Sequence, residues 1–252
     1  MPEQLPFTAL LNHIFGALAN PLLSALHMKH DPHAPISDFV AMQILVVGLL
    51  LVVFAIVRAR LSVDNPGGLQ HIFEGLQGFV TGQSREIIGH HSEGFTAFLS
   101  ILGLFILVCN LLGLVPGFES PTAVPSVPLG CALTAFFYYH IQGVKRKGAL
   151  SYAAHFAGPA DPSMSLFIRI PLAILMVPIE IISHVARVLS LTIRLFANMF
   201  AGDMVTLVFF SLVPIGIPII FLGLHLAVSL LQAYIFVLLT TVYLAGAVAE
   251  EH

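Results

Sequence analysis

Five polar residues, Glu180, His184, Arg187, Arg194 and Asn198, recur at spacings of 4, 3, 7 and 4 in the largely apolar run LFIRIPLAILMVPIEIISHVARVLSLTIRLFANMFAGD. At about 100° per residue they fall within an arc of roughly 80°, so a helix built from this run carries one polar face. An arginine at mid-bilayer costs roughly 2.5–3.5 kcal/mol on insertion scales, and such residues face a protein interior, a partner or water and mark ion paths. The chemistry this face offers is therefore ion movement. For three of the five a structural role competes: Glu180 and His184 pair at i,i+4 to satisfy a buried polar patch, and Arg187 snorkels to a surface.

Arg194 stands apart because no acidic residue lies three or four positions from it. Its nearest acids along the helix, Asp203 and Glu180, are roughly 13 and 21 Å away at 1.5 Å per residue, and nine residues turn Asp203 by about 180° onto another surface. The other apolar stretches hold no acid, which favours a carboxylate from a second chain. Ala197 and Ala201 flank the arginine in a small-xxx-small pattern that lets a partner helix approach closely.

Further on, His225, Ser229, Gln232 and Tyr243 share a second face at spacings of 4, 3 and 11. A hairpin would bring His225 near Asp203, and a carboxylate beside an imidazole is a proton relay; a hydrogen-bonded core histidine is the alternative. His13, His27, His30, His33, His90 and His91 lie in polar flanks without metalloprotease spacing and read as solvated. Cys109 and Cys131 sit in apolar runs without CxxC or Cys/His spacing, so they read as packing residues, and neither a metal site nor a cofactor is expected.

The elements that position these residues follow from composition. The 252 residues are 58% hydrophobic and only 9% charged, with mean hydropathy +0.96, whereas soluble domains run near one quarter charged. A net charge of −3 and the lack of a large basic tract argue against a nucleic-acid partner. Residues 39–57 form an uncharged stretch long enough to cross the hydrocarbon core and end on Arg58 and Arg60. Two more uncharged stretches within 94–144, split by the turn-rich PGFESPTAVPSVP, read as a transmembrane hairpin that runs into Lys145, Arg146 and Lys147. Placing both basic clusters in the cytoplasm puts the N-terminus outside.

Between the first two spans, over 67–91, Leu69, Ile72, Phe73, Leu76, Phe79, Val80 and Ile87 recur at helical spacing among Gln70, Glu74, Gln77 and Arg85, which predicts an amphipathic helix lying along the cytoplasmic interface. Asp161 before Pro162 is a capped helix start, and 161–249 reads as a long helical hairpin turning at Pro214 and Pro218, with possible bends at Pro171 and Pro178. Met204 to Ala249 contains no Asp, Glu, Lys or Arg, and the tail AEEH is expected in the cytoplasm. Residues 1–38 are weakly hydrophobic, lack signal-peptide features and read as an external N-terminal segment. The expected fold is an all-α integral membrane protein forming one domain, with about five membrane-embedded helices, one interfacial amphipathic helix and a long C-terminal hairpin.

The runs LSLTIRLFANMFAGD and LLQAYIFVLLTTVYLAGAVAEEH closely resemble the C-terminal hairpin of subunit a of F-type ATP synthases, and NLLGLVPGFESPT extends the resemblance over most of the chain. The resemblance implies that Arg194 is the essential arginine facing a rotating ring of c subunits, with Asn198 and Gln232 beside it. It implies that Glu180, on the same face as His184, belongs to a cytoplasmic half-channel, and that Asp203, His225 and Asn110 belong to one open to the other side. Val124 departs from the family pattern, in which many members carry Asp or Asn after PTA.

The implied partners are the c ring, peripheral-stalk b subunits, other ATP synthase subunits, the lipid bilayer and a transported proton. The implied location is a bacterial inner membrane, and the chain has no catalysis of its own. A self-contained secondary transporter or channel is the alternative, but the inverted repeats and internal carboxylate partner for Arg194 that it predicts are not found in the sequence. An intramembrane enzyme would need a motif such as HExxH or GxSxG, and neither occurs.

Overall fold

Long apolar runs with few breakers leave the backbone one way to satisfy its N–H and C=O groups in lipid, which is to bond them within each segment as helix. The computed structural model of the chain describes residues 5–25, 35–62, 65–89, 92–115, 118–155, 166–212 and 216–249. Among these there are eight α-helices, a single 3-10 turn and no strand. The helices are α1 (Pro6–Ala25), α2 (Asp38–Ala59), α3 (Gly68–Ile88), α4 (Glu93–Leu112), α5 (Ser126–Lys147), α6 (Ala149–His155), α7 (Leu166–Leu212) and α8 (Ile217–Val248).

The all-α membrane architecture expected from composition is thus what the chain adopts. Helices α2 and α4, and long stretches of α7 and α8, are long and apolar enough to cross a membrane. Helix α5 is as long as α2, but Lys145, Arg146 and Lys147 fill its last turn, where basic residues complement the helix dipole. Gly148 follows at φ 81°, a left-handed position that favours glycine just past a helix end. Helix α7 keeps both Pro171 and Pro178 inside one 47-residue helix, about 70 Å long at 1.5 Å per residue. That is more than twice the roughly 30 Å hydrocarbon thickness. The capped start at Asp161, the turn residue Pro214, the histidines 27, 30, 33, 90 and 91, and the last three residues of the tail lie outside the described residues.

Two helices were not expected. Helix α1 occupies the segment read as an external N-terminal stretch, and α6 follows the third span. A weak apolar pattern suffices for α1 because its contacts are tertiary: Leu11 packs on Ala41 and Met42, with Phe7, Leu45 and Leu112 around them. The Asn12 side chain also donates to the Ile36 carbonyl at 3.0 Å and accepts from the Ile36 N–H at 2.9 Å, closing a two-way clamp.

Packing divides the chain into two units. The first comprises Met1–Leu76, Gly103–Val124 and Phe196–Ala233. Its core joins α2 to α4 through Val46, Leu50 and Cys109. The second comprises Gln77–Leu102, Pro125–Leu195 and Tyr234–His252. In it Phe98 stacks on Tyr138 with centroids 3.7 Å apart, and the Arg146 guanidinium lies 4.9 Å from the centre of the Phe95 ring. Both cysteines are buried, as expected of packing residues. On α3, Leu69, Ile72 and Phe79 remain exposed, an apolar surface suited to an interface with lipid.

Candidate functional site

In the first unit the hairpin brings Asp203 of α7 and His225 of α8 together, with Oδ1 and Nδ1 3.7 Å apart. His225 is 3% exposed, and among the described residues its Nε2 is buried without a hydrogen-bond partner. An unsatisfied buried imidazole nitrogen costs about 1–3 kcal/mol, a cost tolerated where a water or a moving proton supplies the missing partner. Asn198 donates from Nδ2 to Gln232 Oε1 at 2.8 Å, so the first polar face meets the second.

Asn110 is fully buried and hydrogen-bonded on both sides of its amide. Its Nδ2 donates to the Ser229 carbonyl at 3.3 Å, and its Oδ1 accepts from the Thr122 hydroxyl at 2.6 Å. Ser120 in turn contacts Thr122 at 2.7 Å and donates to the Cys109 carbonyl at 3.1 Å. This network folds the Ser120–Ala123 stretch back onto the end of α4 and fixes the wall of the site.

Along that wall opens a cavity of about 720 Å³, apolar at Phe200 and Phe210, with Glu119, Ser120, Asp203 and Thr206 as polar lining. Glu119 was not singled out from the sequence, because a loop carboxylate has no periodicity to betray it. Desolvation first, and the neighbouring charge of Asp38 second, push its carboxyl above the ordinary carboxylate range.

Two glycines also escaped notice. A Cβ on Gly113 would lie 2.8 Å from Ser120 Cβ and 3.3 Å from Asp203 Oδ1, and one on Gly202 would lie 3.0 Å from His225 Nε2. These positions let the loop and the imidazole approach α4 and α7. Gly202→Ala should gain about 1 kcal/mol in helix propensity yet lose about 1–3 kcal/mol to overpacking, because the buried His225 ring has little room to yield. The expected outcome is a net destabilisation of up to about 2 kcal/mol, read as a lower thermal midpoint of the detergent-purified protein.

The second unit holds the other candidates. Glu180 Oε1 lies 3.3 Å from His184 Nε2, and the other nitrogen of that ring, Nδ1, lies 2.9 Å from the Tyr139 hydroxyl. Tyr139 is buried, and its partnership could have been suspected from the polar run FYYHIQ inside an otherwise apolar stretch. Arg187 does not simply reach away from the protein: its guanidinium lies 5.1 Å from the centre of the Tyr243 ring.

Arg194 is half-buried, and its hydrogen bond among the described residues is to Ser190 Oγ at 3.4 Å, one turn back. Among the described residues no carboxylate forms an ion pair with it. Ala197 and Ala201, which follow it on the helix, are exposed. No group of three or more histidine, cysteine or acidic side chains that could hold a metal occurs among the described residues.

Polar helix faces set within long apolar helices define an all-helical membrane protein. Residues 40–245 match the family model described as ATP synthase A chain, and the chain belongs to that family. It is similar to ATP synthase subunit a of Koribacter versatilis (strain Ellin345), 54% identical with all of both chains covered. It is likewise 54% identical to ATP synthase subunit a of Solibacter usitatus (strain Ellin6076), over 96% of this chain and 99% of the relative. ATP synthase subunit a of Geotalea uraniireducens (strain Rf4) is 36% identical over 95% of this chain and 98% of its own.

Proposed function

We propose that this chain is the stator channel subunit of the membrane sector of an F-type ATP synthase, and that it couples proton flow to rotation of a ring of c subunits through two half-channels and Arg194. The observation that carries the reading is Arg194: a permanent charge in an apolar helix, without a carboxylate partner among the described residues and followed on the helix by exposed alanines. The names of the full-length relatives support it. The missing counter-ion is an ion-binding carboxylate carried past Arg194 on the ring.

A proton enters from outside through the cavity beside Glu119, passes Asp203, His225 and the Asn110 network, and neutralises a ring carboxylate. The loaded carboxylate moves into lipid. At the end of the circuit Arg194 draws the proton off, and Glu180 with His184 conducts it to the cytoplasm. An adjacent arginine lowers a carboxylate's pKa by roughly 1–3 units, enough to force release while leaving the pair separable. The chain makes no covalent chemistry of its own. Its partners are the c ring, the peripheral-stalk b subunits and the remaining ATP synthase subunits, in a bacterial inner membrane with the N-terminus outside and the C-terminus in the cytoplasm.

Proton flux into vesicles separates this reading from a self-contained transporter. Vesicles holding the purified chain alone should stay proton-tight under an imposed potential, and those holding chain plus ring should conduct. Flux through the chain alone at the rate of the complex would overturn the proposal.

Glu119 takes the role of proton collector at the outer mouth, where Val124 offers no titratable group. Above its raised pKa Glu119 is ionised and attracts protons, whereas below it the group is as neutral as glutamine. Glu119→Gln should therefore slow proton uptake about two- to threefold at high external pH and leave it unchanged at low external pH, an effect of the size expected of one partly solvated charge. The check is uptake rate against external pH at fixed internal pH.

A further inference from the structure

Beyond Tyr139 the polar cluster of the second unit continues. On the next residue of α5, His140 Nδ1 lies 2.6 Å from the Tyr152 hydroxyl of α6. The His140 and His184 rings are 4.6 Å apart between centroids, within reach of a ring rotation or a single bridging water. Tyr152 is buried, and its ring occupies the notch left by Gly143, where a Cβ would collide with Tyr152 Cε2. Two imidazoles and two phenols thus meet on three helices, next to Glu180. Each carries both donor and acceptor capacity, so each can take a proton on one side and release another on the other. The Tyr152 phenol is pushed above its usual range, chiefly by burial, which keeps it protonated and suits it to exchange rather than to holding charge.

Burying such groups is costly unless each is bonded, and docking α6 by apolar contact alone would avoid that cost. Gly143 removes a side chain to admit this particular ring at the turn where α5 ends in Lys145, Arg146 and Lys147. We propose that His140 and Tyr152 are the outermost stations of the proton exit path that starts at Glu180 and His184. This rests on the assignment of Glu180 to the cytoplasmic half-channel.

The transfer balances at each station. His184 receives a proton from Glu180 at Nε2 and passes the one on Nδ1 to the Tyr139 oxygen, whose hydroxyl proton moves on to His140. His140 accepts at Nε2 and passes its Nδ1 proton to the Tyr152 oxygen, whose own hydroxyl proton leaves to cytoplasmic water. Rotation of each ring and hydroxyl then restores the starting arrangement.

The test uses the complete complex in vesicles and measures ATP synthesis driven by an imposed proton gradient, in H2O and in D2O, for preparations of equal subunit content. Tyr152→Phe keeps the ring in the Gly143 notch and deletes only the relay atom. It should slow synthesis about three- to tenfold and raise the H2O/D2O rate ratio, because a proton step becomes limiting. Gly143→Ala, whose added Cβ would push the Tyr152 ring out of its notch and carry the relay hydroxyl with it, should slow synthesis and raise the ratio as well. Slowing by Tyr152→Phe without a rise in the ratio would mark a docking role alone and overturn the inference. So would parental rates in Tyr152→Phe while Glu180→Gln slows synthesis, an outcome that leaves the Glu180 assignment standing. Parental rates in Glu180→Gln itself would sink that assignment, and the extension with it.

Discussion

Arg194→Ala is expected to abolish ATP-driven proton pumping by the assembled complex, lowering the coupled rate by roughly 10- to 1000-fold, the span of a 1–3 unit carboxylate shift. The magnitude follows from what the arginine does for a ring carboxylate in the proposed mechanism. Without the guanidinium, the protonated carboxyl arrives in an apolar setting that favours the neutral acid and has no reason to let its proton go. The loss should fall on transport and spare folding. Within the described residues Arg194 bonds only to Ser190, one turn back at 3.4 Å, so its removal breaks no ion pair among them.

Complex of normal subunit content with no pumping is the expected pattern, and normal coupled pumping would sink the mechanism. Arg194→Lys should rescue little. A lysine ammonium loses its proton readily in apolar surroundings, whereas guanidinium stays charged and planar. A residual leak in either variant is informative too. A unit charge crossing the membrane gains about 2.3 kcal/mol per 100 mV, and a fixed cation on the stripe disfavours a proton that would take that gain without turning the ring.

How much of this was legible in the residues depended on the physical cost of each feature. The stripe from Glu180 to Asn198 stood out because ionisable groups in an apolar helix are expensive and the 3.6-residue period aligns them. The meeting of Asp203 and His225 was also legible, since only four residues separate α7 from α8 and both polar faces must be buried somewhere. Asn198 and Gln232 met for the same reason.

Other features left a weaker mark or none. Tyr139, His140 and Tyr152 carry no formal charge, and aromatic residues in a membrane span read first as packing. Gly113 and Gly202 matter for the side chain they lack, which has meaning only when the neighbour is known. Glu119 sits in a loop whose path is set by the Ser120–Thr122–Asn110 hydrogen bonds, a tertiary arrangement with no period. Helix α1 was missed because its stability comes from Leu11 packing on α2 and from the Asn12 clamp, not from its own amphipathicity.

Asp203→Asn is the second large effect expected, and its signature is one-sidedness. Asp203 lines the cavity and lies 3.7 Å from His225, so on the proposed route it is the group through which protons pass from water to the buried imidazole. Asparagine keeps the shape but neither binds nor releases a proton at accessible pH. Removing one acid–base station typically costs 10²–10⁴-fold where no bypass exists, and water in the cavity provides a partial bypass, so a loss of at least about tenfold is expected. The loss should appear as a steeper need for external protons: the rate should depend on external pH more strongly than in the parent, while its dependence on internal pH stays the same. Adding His225→Ala should cost little more, because two stations of one series path are not additive. Rates measured with the two compartments titrated separately decide the matter. Equal changes from both sides would remove Asp203 and His225 from the uptake path, whereas a change confined to the outer side would separate this route from the one that begins at Glu180.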